Sequence, residues 1–162
     1  MIRIGQGFDV HQFSYNRKLV LGGIEIPFEK GLLGHSDADV LLHALADAIL
    51  GALAKGDIGK WYPDSDPSIK GIDSKNILSE VWQKAKIEGY SIGNSDITII
   101  AERPKLAGYT LKMQEVIAEI LECKSNQINI KATTSEKMGY IGREEGIAAL
   151  AIVLLIKSNF LC

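Results

Sequence analysis

The sequence predicts a single α+β domain, a mixed β-sheet with helices packed on one face. Of its 162 residues, 46% are hydrophobic and 23% are charged, a composition typical of a globular domain with a sizeable core. Strand and helix patterns are mixed along the chain without the strict alternation of parallel α/β folds. No repeat, linker or low-complexity segment divides the chain, so residues 1–162 are treated as one domain.

Strands are predicted where apolar runs end at turn residues. Arg3–Asp9 is the first, and the segments 18–21 and 24–26 flank Gly22-Gly23, which predicts a hairpin. Later strands are predicted at 95–101, 128–132 and 147–156. Because the last of these is apolar on both faces, it should lie centrally in the sheet or at a subunit contact.

Helices are predicted from apolar residues at a 3.6-residue spacing. A capping box at Ser36–Asp39 begins the first helix, which continues to Leu53. Its apolar positions are Leu41, Leu42, Leu45, Ile49 and Leu53. Further helices are predicted around 77–85, ending at Gly89, and around 113–121. Residues 56–67 are rich in Gly, Pro and Asp, which predicts a loop.

Composition and charge argue against several classes of partner. The net charge is −2 and Lys and Arg are scattered, so no nucleic-acid surface is predicted. The longest apolar run, 147–156, is too short to span a membrane, and the N-terminal segment lacks a signal-peptide pattern. Cys123 and Cys162 have neither metal-binding nor disulfide spacing, so reduced thiols and a cytoplasmic location are expected.

A metal site is predicted near the N-terminus, where all three histidines of the chain lie within the first 43 residues. Asp9 and His11 are two apart, so on a strand they point to the same face. His43, on the first helix, supplies a third ligand. Two nitrogens and one oxygen suit zinc, and three protein ligands leave a position open for substrate.

The second ring nitrogen of His43 requires a hydrogen-bond partner. Asp47 is four residues further along the helix on the same face, so we predict that it holds this nitrogen, either directly or through the backbone and water. The alternative for Asp47 is a solvated position. Asp39 lies four residues before His43 and competes for the same role, although helix capping is the favoured prediction for it.

Phosphate binding is predicted in two segments. His35 and Ser36 precede the first helix, whose first-turn amides favour an anion. The alternative is that Ser36 only caps the helix and His35 is exposed. Thr133, Thr134 and Ser135 carry hydroxyls for phosphate oxygens, and the adjacent Glu136 suits magnesium, with a helix start as the alternative.

Two cations add to these predictions: Lys105, in the segment Ala101–Leu106, indicates a ligand pocket at a strand end, and Arg143 suits a diphosphate. For Lys105 an ordinary turn is the alternative. The chain lacks a P-loop, a nucleophile paired with a base and a dinucleotide fingerprint. Metal-assisted chemistry on a diphosphate is therefore predicted.

Six sequence blocks cover nearly the whole chain in order. They are R-I-G-Q-G-F-D-V-H (3–11), G-L-L-G-H-S-D-A-D-V-L-L-H-A-L-A-D-A (31–48), G-D-I-G-K-W-Y-P-D-S-D-P (56–67), I-I-A-E-R-P-K-L (99–106), K-A-T-T-S-E-K-M-G (131–139) and G-R-E-E-G-I-A (142–148). Together they resemble the 2-C-methyl-D-erythritol 2,4-cyclodiphosphate synthase family of the non-mevalonate isoprenoid pathway.

The resemblance implies a homotrimer with active sites between subunits. It implies zinc on Asp9, His11 and His43, and magnesium or manganese on Glu136 with the substrate phosphates. The 2-phosphate of 4-diphosphocytidyl-2-C-methyl-D-erythritol 2-phosphate would attack the β-phosphorus, releasing CMP and forming the cyclic diphosphate. An isoprenoid diphosphate is a candidate ligand of a cavity on the trimer axis, closed by Arg143 and Glu145. No nucleic acid or membrane partner is implied.

The resemblance also assigns roles to residues. His35 and Thr134 would be catalytic, orienting and stabilising the reacting phosphates. The methylerythritol part would face Ser36, Asp57, Ile58, Gly59, Tyr62, Pro63, Asp64, Ser65 and Asp66. The cytidine end would contact Ala101, Glu102, Arg103, Pro104, Lys105, Leu106, Ala107 and Thr133. The remaining implied substrate contacts are Asp9, Val10, His11, Ser135, Glu136, Tyr140 and Arg143.

Departures from the family pattern are small, with Ser135 where many relatives carry Thr and Gln6 at a variable position. Two other functions stay open. A zinc-dependent phosphodiesterase would use the same ligands with water as nucleophile, although no residue is marked as a base for that water. A non-catalytic isoprenoid-binding trimer would use the metal structurally, and three ligands instead of four argue against it.

Overall fold

The computed structural model describes residues 1–63, 65, 67 and 70–157. Its main sheet has five strands: β1 (Ile2–Ser14), β4 (Gly31–Leu32), β5 (Tyr90–Ile100), β6 (Ile128–Thr133) and β7 (Gly146–Lys157). The order across the sheet is β4-β1-β7-β5-β6, so β7 is central, as its apolar run predicts. A separate hairpin of β2 (Leu19–Leu21) and β3 (Ile24–Ile26) turns at Gly22-Gly23, where both glycines have positive φ.

The helices are α1 (Val40–Ala52), α2 (Ile58–Trp61), α3 (Ser74–Ile87), α4 (Thr110–Ile120) and α5 (Gly139–Gly142), and a 3₁₀ turn is formed at Ser125–Gln127. The three longer helices confirm those predicted from periodicity. Helix α2 is a single turn where the composition predicts a loop, because the Asp57 side chain accepts the Lys60 N–H and caps it. The predicted elements therefore exist, with β1 and β5 longer than expected.

The start of α1 differs from the prediction. The cap is Asp39, whose side chain accepts the Leu42 N–H, and not Ser36. Asp39 also accepts the N–H groups of Gly22 and Gly23, so this carboxylate joins the hairpin turn to the helix. Ser36 Oγ accepts the Ala38 N–H in the preceding loop. Side-chain competition for backbone donors, invisible in the sequence, decides which residue caps the helix.

The core lies between the sheet and its helices. Helix α1 packs on β1 and β7, almost wholly buried. This contact is close because two residues of β1 are glycines: a Cβ on Gly7 would lie 1.9 Å from Ala44 O, and one on Gly5 would lie 1.8 Å from Ala48 O. Glycine is required at both positions because the helix backbone occupies the space of a side chain.

The other side of the sheet carries an apolar surface, which we call the open face. Its residues are Ile2, Ile4, Phe8, Val10, Leu150, Ile152, Leu154 and Ile156. Ile4 is 69% exposed, Phe8 51% and Ile152 45%. The register pairs Ile4 with Leu154 and Phe8 with Leu150, so the surface is continuous across two strands. None of the described helices combines the length with the apolar composition that a membrane-spanning helix requires.

Candidate metal centre and nucleotide pocket

The predicted metal triad is assembled on the helix-covered side of the sheet. Asp9 Oδ2 lies 2.9 Å from His11 Nε2 and 3.1 Å from His43 Nδ1, and the two ring nitrogens are 3.2 Å apart. A tetrahedral zinc site with bonds of about 2.0–2.1 Å has donor atoms about 3.3 Å apart. The three donor atoms therefore fit a single divalent cation, as the strand and helix spacing predicts.

The electrostatics of the triad suit a cation. Burial raises the pKa of Asp9, but its hydrogen bonds to His11 and His43 outweigh burial and hold that pKa well below its usual range. Burial lowers the pKa of His11, but the hydrogen bond and charge of Asp9 outweigh it, so this pKa is raised. A metal ion bound here takes the place of a proton held between these groups.

A hydrogen bond on the side away from the triad fixes the orientation of the His11 ring. Its Nδ1 lies 2.8 Å from the carbonyl oxygen of Leu33, which can only accept a hydrogen bond. Nδ1 therefore carries the proton in neutral His11, and the Nε2 lone pair points into the triad. This tautomer is the one that a metal ligand requires.

The second nitrogen of His43 does not bond directly to Asp47, so the prediction of a direct bond is wrong. His43 Nε2 lies 2.9 Å from Ser74 Oγ and 3.2 Å from Ser36 Oγ. The Asp47 carboxylate accepts the Ile58 N–H at 2.7 Å and anchors the start of α2. A free backbone donor at that helix start is the stronger local competitor for this carboxylate.

A cavity of about 400 Å³ opens beside the triad. Among the predicted contacts with the methylerythritol part, it is lined by Ser36, Ile58, Gly59 and Tyr62, together with His35. The first turn of α1 does not line it, because Asp39 is fully buried there and holds the Leu42 N–H. The predicted anion site at this helix start is therefore reduced to His35 and Ser36.

Arg17 holds the loop that carries His35. Its two Nη atoms donate to Gly34 O at 3.1 Å and to Ser36 O at 2.7 Å, on either side of His35. The Gly71 N–H donates to His35 O at 2.6 Å. The guanidinium thereby fixes the path of the loop across the cavity. Sequence reasoning missed Arg17, because nothing in its spacing connects it to residues 34–36.

The far wall of the cavity is built around α2. Asp57 caps this helix through the Lys60 N–H at 3.0 Å, and the Tyr62 hydroxyl donates to the Glu80 carboxylate. Burial and this bond raise the pKa of Tyr62. Pro63 and Ser65 are exposed. Asp64 and Asp66, predicted to contact the substrate, lie outside the described residues, as does Cys162.

A second cavity of about 240 Å³ lies at the ends of β5 and β6. It is lined by Ala101, Glu102, Pro104, Lys105, Leu106, Ala107, Ala132, Thr133 and Thr134. The segment predicted to hold the cytidine end thus forms a concave site. Arg103 does not line it, because its guanidinium lies 3.3 Å from Glu29 Oε1 and 3.6 Å from Glu144 Oε2.

Glu102 joins this pocket to the loop that carries Thr134 and Glu136. Its Oε1 accepts the N–H of Lys137 at 3.0 Å, the N–H of Ser135 at 3.1 Å and the Ser135 hydroxyl at 3.2 Å. The bond from Lys137 is the main cause that lowers the pKa of Glu102, followed by those from Ser135. Glu136 and Lys137 both have positive φ, so the loop adopts a tight path that these bonds hold.

The two cavities lie on different parts of the sheet. Asp9 pairs with Ala149, Ala149 with Ile99, and Ile99 with Ala132, in one line from β1 to β6. Three strand spacings of about 4.8 Å separate the ends of this line by about 14 Å. Within one chain, therefore, Thr134 and Glu136 are not brought to the triad, and the described metal group consists of Asp9, His11 and His43.

Three further predicted contacts lie near the end of β1. Val10 points to the open face, away from the triad, because side chains alternate along the strand. Tyr140 lines a cavity that also includes Val10 and His11. The Arg143 Nε donates to Glu145 at 2.6 Å, so its charge is partly matched within the chain.

The chain is similar to known proteins over nearly its whole length. The family model described as the YgbB family matches residues 2–156. A 2-C-methyl-D-erythritol 2,4-cyclodiphosphate synthase of Listeria monocytogenes is 60% identical over 157 residues, covering 97% of this chain and 100% of the relative. One from Geobacillus kaustophilus is 61% identical over 158 residues, covering 98% of this chain and 100% of the relative.

Solved structures show the same fold. The bifunctional IspDF of Campylobacter jejuni has a TM-score of 0.92 and 47% identity, and the match covers 96% of this chain and 42% of that one. A CDP complex of IspF from Plasmodium falciparum has a TM-score of 0.86 and 36% identity, covering 98% and 97% of the two chains. The chain therefore belongs to the YgbB family, the cyclodiphosphate synthases of isoprenoid biosynthesis.

Proposed function

We propose that the protein converts 4-diphosphocytidyl-2-C-methyl-D-erythritol 2-phosphate to 2-C-methyl-D-erythritol 2,4-cyclodiphosphate and CMP, as a phosphorus-oxygen lyase. The observation that carries the proposal is the pair of half-sites on one chain, a metal triad beside one cavity and a separate pocket at residues 101–107. A diphosphate substrate with a nucleoside at one end and a sugar alcohol phosphate at the other needs both. Relatives described as CDP complexes support the nucleotide half.

The two half-sites form one active site when neighbouring chains associate. We infer a homotrimer in which the triad of one subunit faces residues 101–107, Thr134 and Glu136 of the next. The exposed open face supports this assembly, because an apolar surface of that extent on a soluble domain marks an interaction site. An isoprenoid diphosphate in the resulting axial cavity stays a candidate ligand.

The metal assignments follow from the donor atoms. Asp9, His11 and His43 would hold zinc, and Glu136 would hold magnesium or manganese together with substrate phosphates, since Mg²⁺ commonly uses one carboxylate plus phosphate oxygens. When bound, these ions neutralise charge on the diphosphate and polarise its phosphoryl oxygens. The open position of a three-ligand site is the feature that suits a reaction more than a structural role.

The chain's own residues act by orientation. The attacking 2-phosphate and the leaving CMP belong to the same substrate, so neither a protein nucleophile nor a base for water is needed. His35 and Ser36 lie in the triad cavity, where they would hydrogen-bond phosphate oxygens and keep the 2-phosphate in line with the β-phosphorus. Thr134, at the nucleotide pocket, would donate to the diphosphate as CMP departs.

The other predicted contacts have roles in the same active site. Asp57, Tyr62, Pro63 and Ser65 would border the methylerythritol part, and Tyr140 and Arg143 would approach the diphosphate. The nucleotide pocket would read cytosine through backbone groups of 101–107. A cytoplasmic location is inferred from the reduced Cys123 and the pathway.

The test is a product assay. The purified protein is incubated with the cytidylyl phosphate substrate, zinc and magnesium, and products are followed by phosphorus NMR. Equimolar CMP and cyclic diphosphate are expected. Release of CMP with a linear, hydrolysed product would overturn the proposal and favour a phosphodiesterase.

A further inference from the structure

A chain of hydrogen bonds extends from the triad into the core behind His43. Ser74 Oγ lies 2.9 Å from His43 Nε2, and its hydroxyl makes a close hydrogen bond to Asp37 Oδ1. Asp37 Oδ2 accepts the Ser74 N–H at 3.1 Å, so this carboxylate holds both groups of the serine. Ser74 is fully buried at the first position of α3.

The protons along this chain have one consistent arrangement. A serine hydroxyl has a single proton, and the carboxylate of Asp37 can only accept. Because Ser74 donates to Asp37, its oxygen must accept from His43, so His43 Nε2 carries the proton. The Nδ1 of neutral His43 is then bare and faces Asp9 and His11.

We propose that Ser74 and Asp37 are positioning residues that fix the tautomer and orientation of His43 for metal binding. The inference rests on the metal site of the proposed function. His11 is held in the same way, because its Nδ1 is hydrogen-bonded to Leu33 O. Each ligand imidazole is thus held from behind, one by a backbone carbonyl and the other by a hydroxyl bonded to a carboxylate. Such outer partners raise ligand basicity and limit ring rotation.

Ser36 is the competing partner of His43, and its geometry is weaker. Its Oγ lies 3.2 Å from Nε2, and it already accepts the Ala38 N–H at 3.0 Å. Unlike Ser74, it also lines the triad cavity. This divides the roles of the two serines. Ser36 presents its hydroxyl toward the substrate, and Ser74 secures the ligand ring.

The experiment compares zinc affinity, measured by competition with a chelator, in four variants of the full chain. Ser74→Ala removes the hydroxyl, Asp37→Asn removes the charge that orients it, and Ser74→Thr retains a hydroxyl. Asp73→Ala is the matched control, because Asp73 caps the same helix through the Lys75 N–H at 2.8 Å without contacting His43. We expect a loss of about 10- to 100-fold for Ser74→Ala and Asp37→Asn, with near wild-type affinity for Ser74→Thr and Asp73→Ala.

A second measurement follows the His43 ring itself. With only three histidines in the chain, ¹⁵N-histidine NMR of the zinc-loaded protein resolves each ring. We expect a protected Nε2–H for His43 in the wild type and fast exchange of that proton in Ser74→Ala. Unchanged zinc affinity and an unchanged His43 signal in Ser74→Ala would overturn the positioning role of Ser74 and leave the proposed function intact.

Other outcomes are also decisive. If Asp73→Ala weakens zinc as much as Ser74→Ala, the loss arises from the start of α3 and the positioning role is wrong. If Ser74→Ala does not fold, the zinc affinities of Asp37→Asn and Ser74→Thr test the proposal. It predicts weaker binding for Asp37→Asn and near wild-type binding for Ser74→Thr. A wild type that binds no zinc would instead refute the metal site of the proposed function.

Discussion

At the scale of single residues, the site depends on side chains that hold other site residues in place. Arg17 spans the His35 loop, Ser74 supports His43, and Glu102 holds the loop at 135–137. Each makes its bonds to backbone groups or to a ligand residue, and each lies far in sequence from what it holds. Their effect on the reaction is geometric, and a displacement of about 1 Å at a reacting group can cost about 100-fold in rate.

Glu102 offers the clearest test at this scale. Glu102→Ala removes the acceptor of three hydrogen bonds from residues 135 and 137, so Thr134 and Glu136 lose their fixed path. We expect kcat/KM for CMP release to fall by about 10- to 100-fold, with an unchanged circular dichroism spectrum. The control is Glu119→Ala, which removes an exposed carboxylate from α4. Equal activity of both variants would show that Glu102 does not position the loop.

At the scale of elements, the contact between α1 and β1 places His43 beside Asp9 and His11. Two glycines make that contact possible. For Gly7→Ala, whose Cβ would lie 1.9 Å from Ala44 O, we expect a loss of stability of about 3 kcal/mol or more and weaker zinc binding. Gly51→Ala is the matched control, since its nearest contact is 3.7 Å away and alanine favours the helix by about 1 kcal/mol. Urea unfolding of both variants measures the difference, and equal midpoints would refute the close packing.

Asp39 links two other elements, the β2–β3 turn and the start of α1. Burial raises its pKa to about 6, although three backbone N–H bonds oppose this. A carboxyl whose pKa is raised in the folded state stabilises the fold at low pH, and this contribution is lost as the pH rises to about 6.

The pH dependence of unfolding therefore distinguishes wild type from Asp39→Asn. The raised pKa corresponds to about 3 kcal/mol. We expect the stability of wild type relative to Asp39→Asn to fall by up to that amount between about pH 4 and pH 6, and then to level off. Urea unfolding in the presence of chelator, at several pH values, measures it. A difference that does not vary with pH would show that Asp39 is not the titrating group.

At the scale of the whole molecule, the sheet separates the halves of the site. One chain carries the triad near one edge and the nucleotide pocket near the other, so the proposed active site needs two chains. The open face of β1 and β7 is the surface available to bring them together.

Mixing two inactive variants tests this directly. Asp9→Ala disables the triad and Thr134→Ala disables the other half-site. Co-expressed with different tags, mixed trimers should regain activity in about one of their three sites, or about a quarter of all sites at equal expression, because each such site takes one intact half from each chain. Trimers of either variant alone are the control. If the mixed trimers stay as inactive as these, the site lies within one chain.

The sequence by itself determined that Asp9 and His11 share one face of a strand and that His43 lies on a helix, through alternation along the strand and apolar spacing along the helix. The packing of α1 on β1, which Gly5 and Gly7 allow, brings His43 beside the other two. Which face of a strand or helix a residue occupies depends on neighbours within a few residues, so the sequence pattern is enough to predict it. The assignment of residues 101–107 to the cytidine end, by contrast, came from the family resemblance, and the structure shows that most of this segment lines a concave pocket.

Only the tertiary structure decided which polar groups meet. Asp47 has the correct helical spacing for His43, yet it bonds to Ile58, and Ser74 takes its place from a different helix. Asp39, not Ser36, caps α1 because the hairpin turn brings two more donors to its carboxylate. Hydrogen-bond partners are chosen by competition among groups distant in sequence, and no spacing rule records that competition.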